Sequence, residues 1–163
     1  MKETDSIPPK IYTFPQIAHR VLQWRVLGKT IAFTNGVFDI LHQGHIFSLS
    51  KAAKEADFLV VGLNSDASVK RLKGESRPVN GQESRALVMA SLVIVDAVVL
   101  FEQDTPLELI TTVMPDVLIK GGDYSVDQVV GAKEVIARGG RVVINPILEG
   151  FSTSQLINLI RKQ

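Results

Sequence analysis

The chain has 163 residues, 45% apolar and 21% charged, which suits one globular domain with a sizeable core and leaves little room for a second. Lys+Arg 18 against Asp+Glu 17 leave a net charge of +1, so the basic face of a dedicated nucleic-acid binder is not expected. The absence of cysteine removes disulfides, zinc ribbons and thiol catalysis.

The start, MKETDSIPPK, is acidic and proline-bearing, lacks the apolar stretch of a signal peptide and reads as a loose tail. Pro15 opens a partly amphipathic helix carrying Ile17, Val21, Leu22 and Trp24, which runs to about Leu27. Residues 1–28 are therefore predicted as an N-terminal tail and helix, and residues 29–163 as the main domain. Continuous apolar runs predict buried strands over Thr30–Phe33, Phe58–Leu63, Ala97–Phe101, Val117–Ile119 and Arg141–Ile144. Helical patterns fall between them, over Gly44–Ala56, Ser84–Leu92, Pro106–Met114 (with Asp104 as the expected N-cap), Val126–Ala137 and Ser152–Lys162. The long irregular stretch is Lys73–Gln82. Strands alternating with helices imply an α/β, Rossmann-like three-layer fold with a five-stranded mostly parallel sheet. The longest apolar stretch, Ala90–Phe101, contains Asp96 and is too short to span a bilayer. No membrane partner is expected, and a cytoplasmic location is predicted.

Ligands of such sheets bind where the strands end. After the first strand comes Thr34-Asn35-Gly36-Val37-Phe38-Asp39-Ile40-Leu41-His42-Gln43-Gly44-His45. Two of the three histidines lie here, spaced H-x-G-H, at the start of a helix. A helix start offers free N–H groups and partial positive charge, Gly44 permits close approach, and two imidazoles can donate to phosphoryl oxygens as charge builds. The alternatives are a turn whose histidines merely cap and pack, or a zinc site, for which no third ligand is evident. His19, on the first helix, is expected to be structural. Gly28-Lys29-Thr30 resembles the end of a P-loop, but the first glycine would fall at Gln23 and the triplet precedes a strand. No G-x-G-x-x-G occurs.

The run Gly36 to His45 resembles the G-x-F-D-x-x-H-x-G-H pattern of the nucleotidylyltransferase superfamily, which includes the cytidylyltransferases. The likeness continues through Asn64-Ser65-Asp66, Arg71-Leu72-Lys73-Gly74, Ser76-Arg77-Pro78-Val79-Asn80, Val95-Asp96, Lys120-Gly121-Gly122-Asp123-Tyr124 and Gly150-Phe151-Ser152-Thr153-Ser154. It covers roughly Lys29 to Arg161, and the combination is most similar to the adenylyltransferase half of the bacterial heptose kinase/adenylyltransferases.

The resemblance implies the superfamily's nucleotidylyltransferase fold and AMP transfer from ATP to D-glycero-β-D-manno-heptose 1-phosphate, for lipopolysaccharide core assembly. The catalytic residues it implies are His42, His45 and Lys73. The nucleotide-binding residues are Asn35, Gly36, Phe38, Gly44, Lys120, Gly121, Asp123, Ser152 and Thr153. Asp39 and Arg85 would face the acceptor, although a surface-helix role for Arg85 is equally open. Mg2+ would enter mainly through ATP phosphates, and no protein ligand for a metal is named. Ser152 with Gln155 also reads as a capping box, and Lys70, Arg71, Lys73 and Arg77 as a solvated face. Cytidylyltransferases of the glycerol and choline type carry arginines where this chain has Val93 and Ile147, which favours ATP over CTP. The competing functions are a cytidylyltransferase for a small alcohol phosphate and a non-catalytic nucleotide-binding module. The helix Pro15–Leu27 with Trp24 either serves a homodimer or covers its own core.

Overall fold

The computed structural model describes residues 4–148 and 150–161. Among the described residues six strands form one sheet: β1 (Ile11–Tyr12), β2 (Ile31–Gly36), β3 (Phe58–Asn64), β4 (Ala97–Phe101), β5 (Val117–Gly121) and β6 (Arg141–Asn145). Their order is β1-β4-β3-β2-β5-β6, and every pairing is parallel. The sixth strand, beyond the five expected, is β1. It pairs Ile11 with Val98 and Tyr12 with Val99, and two residues are too few to show a period. The helices are α1 (Phe14–Val26), α2 (Gln43–Ala53), α3 (Asp66–Lys73), α4 (Gln82–Ala90), α5 (Leu107–Val113), α6 (Ala132–Ala137) and α7 (Thr153–Arg161).

Successive side chains of a strand point to opposite faces, and here both faces are covered. Ile31, Phe33, Val60, Val99 and Leu118 pack with Ile17, Val21 and Trp24 of α1 and with buried residues of α5 and α6. Ala32, Leu59, Val61, Val98 and Ile119 pack with Leu49 and Ala52 of α2 and with Ala86 and Met89 of α4. Side chains such as Phe33 and Leu118 each contribute about 1.5–3 kcal/mol on burial. Trp24 is buried and stacks on Phe58 at 4.3 Å between centroids, so it covers the chain's own core.

Several expectations change. Residues 4–10 are not a loose tail: they form two short 3-10 turns, and the Lys10 ammonium donates to the Val95 carbonyl at 2.8 Å. The helix α3 lies where no element was predicted. Ser65 caps it, accepting the Ser68 N–H, and its last turn is basic, but only one of its large apolar residues, Val69, is buried. The expected helix Val126–Ala137 is split into a 3-10 turn, Val126–Gln128, and α6, because Gly131 takes φ +84° between them. Pro106, not Asp104, occupies the N-cap position of α5. The predicted end of the last helix, Lys162, lies outside the described residues. Among the described residues no helix is long and apolar enough to cross a membrane.

Candidate active site

The strand order reverses at β2: the chain moves outward to β3 and β4, then crosses back to β5. A cleft of about 510 Å³, within the ordinary ligand range of roughly 300–1,000 Å³, opens at the carboxyl ends of β2 and β5. The first turns of α2 and α7 both face it, through Gly44 and His45 on one side and Ser152, Thr153 and Ser154 on the other. Each first turn leaves N–H groups without intrahelical partners and carries partial positive charge.

His42 occupies the N-cap position of α2, and its carbonyl accepts the His45 N–H at 2.9 Å. That turn stacks the two imidazoles, with centroids 3.8 Å apart. Phe38 meets the His45 ring edge-on at 5.3 Å, and Phe151 lies 6.2 Å beyond the His42 ring. Gly44 makes the arrangement possible: a Cβ there would sit 3.1 Å from the His42 ring and from Phe151 Cβ. Gly36 does the same beneath Phe38, whose ring would lie 2.9 Å from an added Cβ. Phe38 itself takes φ +46°, a strained choice for a bulky residue. The Nδ1 atoms of His42 and His45 are both buried without a hydrogen-bond partner. Burial, helped by the charge of His42, pushes the His45 pKa down to about 4, and burial lowers that of His42 too. The pair enters neutral pH uncharged, and both residues line the cleft.

Lys73, the last residue of α3, lines the cleft and makes no ion pair among the described residues. Arg77 lines it as well. The rest of the basic cluster is spent on the surface, Lys70 with Glu75 and Arg71 with Asp104.

Asp39 lines the cleft, but its carboxylate is taken. It accepts from Arg77 Nε at 2.7 Å and from the Val79 and Asn80 N–H groups at 2.9 Å. Burial works to raise its pKa, yet the two backbone donors and Arg77 prevail and hold it below the usual carboxylate range. Arg85 is 2% exposed, which ends its reading as a surface residue. Its guanidinium donates to the Asn80 and Val37 carbonyls and to Asp66 Oδ1, all within 2.9 Å. Together Asp39 and Arg85 latch residues 77–80 beside the cleft.

Of the expected site residues, the structure gathers His42, His45, Lys73, Phe38, Asp39, Gly44, Gly121, Ser152 and Thr153 around the cleft. Asn35 and Lys120 line a separate recess, and Gly36 supports Phe38. Asp123 is exposed, and neither it nor Arg85 lines the cleft or the recess. Ser48 and Leu148 also line the cleft and went unmarked in the sequence, although Ser48 is one turn beyond His45 on the same helix face. Val93 is 94% exposed and precedes β4, at the opposite end of the sheet, so its identity says nothing about the nucleotide; Ile147 does line the cleft. Among the described residues no group of three His, Asp or Glu could hold a metal ion.

A protein named Bifunctional protein HldE from Nitrobacter winogradskyi is 58% identical over 134 residues, 82% of this chain and 28% of its own length. Its namesake from Rhodospirillum rubrum is 57% identical over 135 residues, 83% of this chain and 27% of its own length. The chain thus spans under a third of the curated relatives it matches. Among solved structures, the lipopolysaccharide core biosynthesis protein from Thermoplasma volcanium is 31% identical at a TM-score of 0.59, covering 74% of this chain and 98% of that one. A pantoate-beta-alanine ligase from Francisella tularensis, complexed with beta-gamma ATP and beta-alanine, shares the fold at a TM-score of 0.60 and 16% identity, covering 94% of this chain and 78% of that one. The cytidylyltransferase-like model matches residues 33–159, and with most of its length inside that match the chain belongs to the cytidylyltransferase-like family.

Proposed function

We propose that the chain is a nucleotidyltransferase that moves AMP from ATP to D-glycero-β-D-manno-heptose 1-phosphate, giving ADP-heptose and pyrophosphate for lipopolysaccharide core assembly. The observation that carries AMP transfer is the stacked, half-buried His42–His45 pair, which lines the cleft beside two helix first turns. Unmet donors around a cleft suit a ligand dense in oxygen acceptors, and a triphosphate is such a ligand. The heptose acceptor is supported by the likeness to the HldE proteins and by the RLKG, SRPVN and KGGDY runs.

The step needs no covalent enzyme intermediate. An oxygen of the acceptor phosphate forms a bond to the α-phosphorus of ATP as the bond from that phosphorus to the bridging oxygen breaks. The bonding pair leaves with pyrophosphate. The acceptor is already anionic, so no general base is required, and the protein's part is positioning and charge stabilisation. His42 and His45 donate a ring N–H each to the departing phosphates. Lys73 neutralises charge at the α-phosphate and the leaving group. Arg77, held through Nε by Asp39, keeps its two terminal nitrogens free of other hydrogen bonds among the described residues. Gly44, Ser152 and Thr153 offer the helix starts. Mg2+ would travel with the triphosphate and supply further charge neutralisation; no side chain is assigned as its ligand. A cytoplasmic location goes with a reaction that consumes ATP.

The test is a pyrophosphate-release screen crossing ATP, CTP, GTP and UTP with heptose 1-phosphate and other phosphorylated acceptors. The highest kcat/KM is expected for ATP with the heptose. A higher value for CTP would overturn the adenylyl assignment.

A further inference from the structure

A second cavity, of about 210 Å³, opens at the same edge of the sheet, and none of its lining residues lines the main cleft. Asn35 near the end of β2, Lys120 on β5, and Tyr124 and Gln128 between β5 and α6 form its polar wall. Its apolar floor, Leu118 and Val129, belongs to the core layer of α1, α5 and α6, whereas Leu49 and Ala52 of α2 belong to the other layer. The two hollows therefore meet at the switch point. β5 gives Lys120 to one and Gly121 to the other, and β2 leads from Asn35 at one to Val37 at the other.

Lys120 is half-buried, and its ammonium has no anion or hydrogen bond among the described residues. It rests 5.5 Å from the centroid of the Tyr124 ring, a cation–π contact that offsets part of its lost hydration. Burial lowers its pKa, as expected for a cation lacking its counter-charge. Gln128 spends its Oε1 on the Ser125 N–H at 3.0 Å, which leaves its NH2 group unused. The Asn35 amide forms no side-chain hydrogen bond among the described residues. A half-buried ammonium without an anion, beside two amide NH2 groups without partners among the described residues, suits a small anion that also carries hydroxyl groups.

We propose that this recess is the acceptor site, with Lys120 on the phosphate of a sugar 1-phosphate and the amides of Asn35 and Gln128 on its hydroxyls. The assignment rests on the AMP-transfer reading above and moves Asn35 and Lys120 from the nucleotide to the acceptor. Attacking and leaving oxygens stand roughly in line across the reacting phosphorus. Pyrophosphate leaves toward the imidazoles and helix starts of the main cleft, so the attacker enters from another side, and the recess opens there. At about 210 Å³ against about 510 Å³ it is the smaller of the two hollows, which suits the smaller substrate. Lys120 then lessens the repulsion between acceptor phosphate and α-phosphate as the new bond forms.

The test separates the two substrates on the whole chain. Steady-state kinetics with ATP and heptose 1-phosphate, and calorimetric titration of each alone, are run on the parent, Lys120→Met and Tyr124→Ala, with circular dichroism to check folding. Lys120→Met should raise KM and Kd for heptose 1-phosphate roughly 10- to 100-fold, the range for a lost charge-assisted hydrogen bond. Its ATP affinity should stay near the parent's. Tyr124→Ala, at an exposed residue, should show the same pattern more weakly. Loss of ATP affinity in either variant, or no change in acceptor affinity, would overturn the acceptor assignment while leaving AMP transfer intact. A parent chain that binds ATP but no sugar 1-phosphate would instead overturn the proposed function, and this assignment with it.

Discussion

At the amino edge of the sheet, Asp57 accepts the Thr30 N–H at 2.9 Å, Asp116 accepts that of Ile31 at 2.8 Å and Asp96 that of Leu59 at 2.7 Å. Strand N–H groups that would otherwise lack partners are satisfied by carboxylates. At the carboxyl edge the opposite holds: among the described residues the Nδ1 atoms of His42 and His45 have no partner and Lys73 has no anion, and two helix first turns face open space. Both edges belong to the same six strands and differ only in what their loops supply. Polar groups that are already paired hold the fold; those left unpaired await a ligand. Asp39 and Arg85 are instructive because they sit at the open edge yet are fully bonded. They act as a latch that sets residues 77–80 beside the cleft.

Asp39→Ala should have the largest effect. It strands Arg77, which is 13% exposed, and frees two backbone donors, so a loss of about 3–5 kcal/mol is expected in urea denaturation. A change under about 1 kcal/mol would mean the latch bears no weight. Next come His42→Ala and His45→Ala. Each should lower kcat by about 10²–10³ while barely altering urea stability, because neither Nδ1 is paired in the fold. Near-parent kcat in either variant would make that imidazole structural and dissolve the contrast between the edges. Asp116→Ala should show the converse, about 1–3 kcal/mol of lost stability from the orphaned Ile31 N–H with kcat/KM near the parent's. A fall in kcat as large as the histidine variants' would show that the amino edge also serves catalysis.

The same contrast explains which parts of the fold and site are legible in the sequence. Strands buried on both faces announce themselves as apolar runs, so β2 to β6 were legible, and with them the place where ligands bind. His42 and His45 were legible because a strand-to-helix turn fixes where they point. The helix α3 was missed because it shows itself through its Ser65 cap and basic last turn, not through an apolar stripe. Gly131 breaks a helical pattern by its backbone angle, which periodicity does not register. The role of Arg85 was hidden because its partners, the Asn80 and Val37 carbonyls, are main-chain atoms and one lies 48 residues away. The recess around Lys120 and Asn35 joins residues 85 positions apart, so its unpaired ammonium becomes visible only when the strands are laid side by side.

A further contrast is how the two edges respond to acid. His45 titrates near 4 in the fold, against an ordinary value of 6.5, because burial and the neighbouring His42 oppose its charge. The unfolded chain therefore takes up a proton below about 6.5 that the folded chain refuses until about 4. Stability from this residue is fully present above that window and falls as pH drops through it. Asp57 is held down to about 2 by hydrogen bonds from the Thr30 backbone and side chain and by Lys29, against an ordinary 3.8. Its contribution persists above about 3.8 and is lost only as pH falls toward 2. Asp96 shifts the other way, since desolvation outweighs the Leu59 N–H, and it does not share this step. Urea midpoints taken across pH should thus show two separate declines. His45→Gln should flatten the one between about 6.5 and 4, and Asp57→Asn the one below about 4. Triphosphate binding should also draw a proton onto His45 inside the upper window, seen as buffer-dependent calorimetric heats near pH 5.5 that vanish in His45→Gln. Equal uptake in parent and variant would mean that the imidazole does not meet the phosphates, and the carboxyl edge would lose its claim to be built for them.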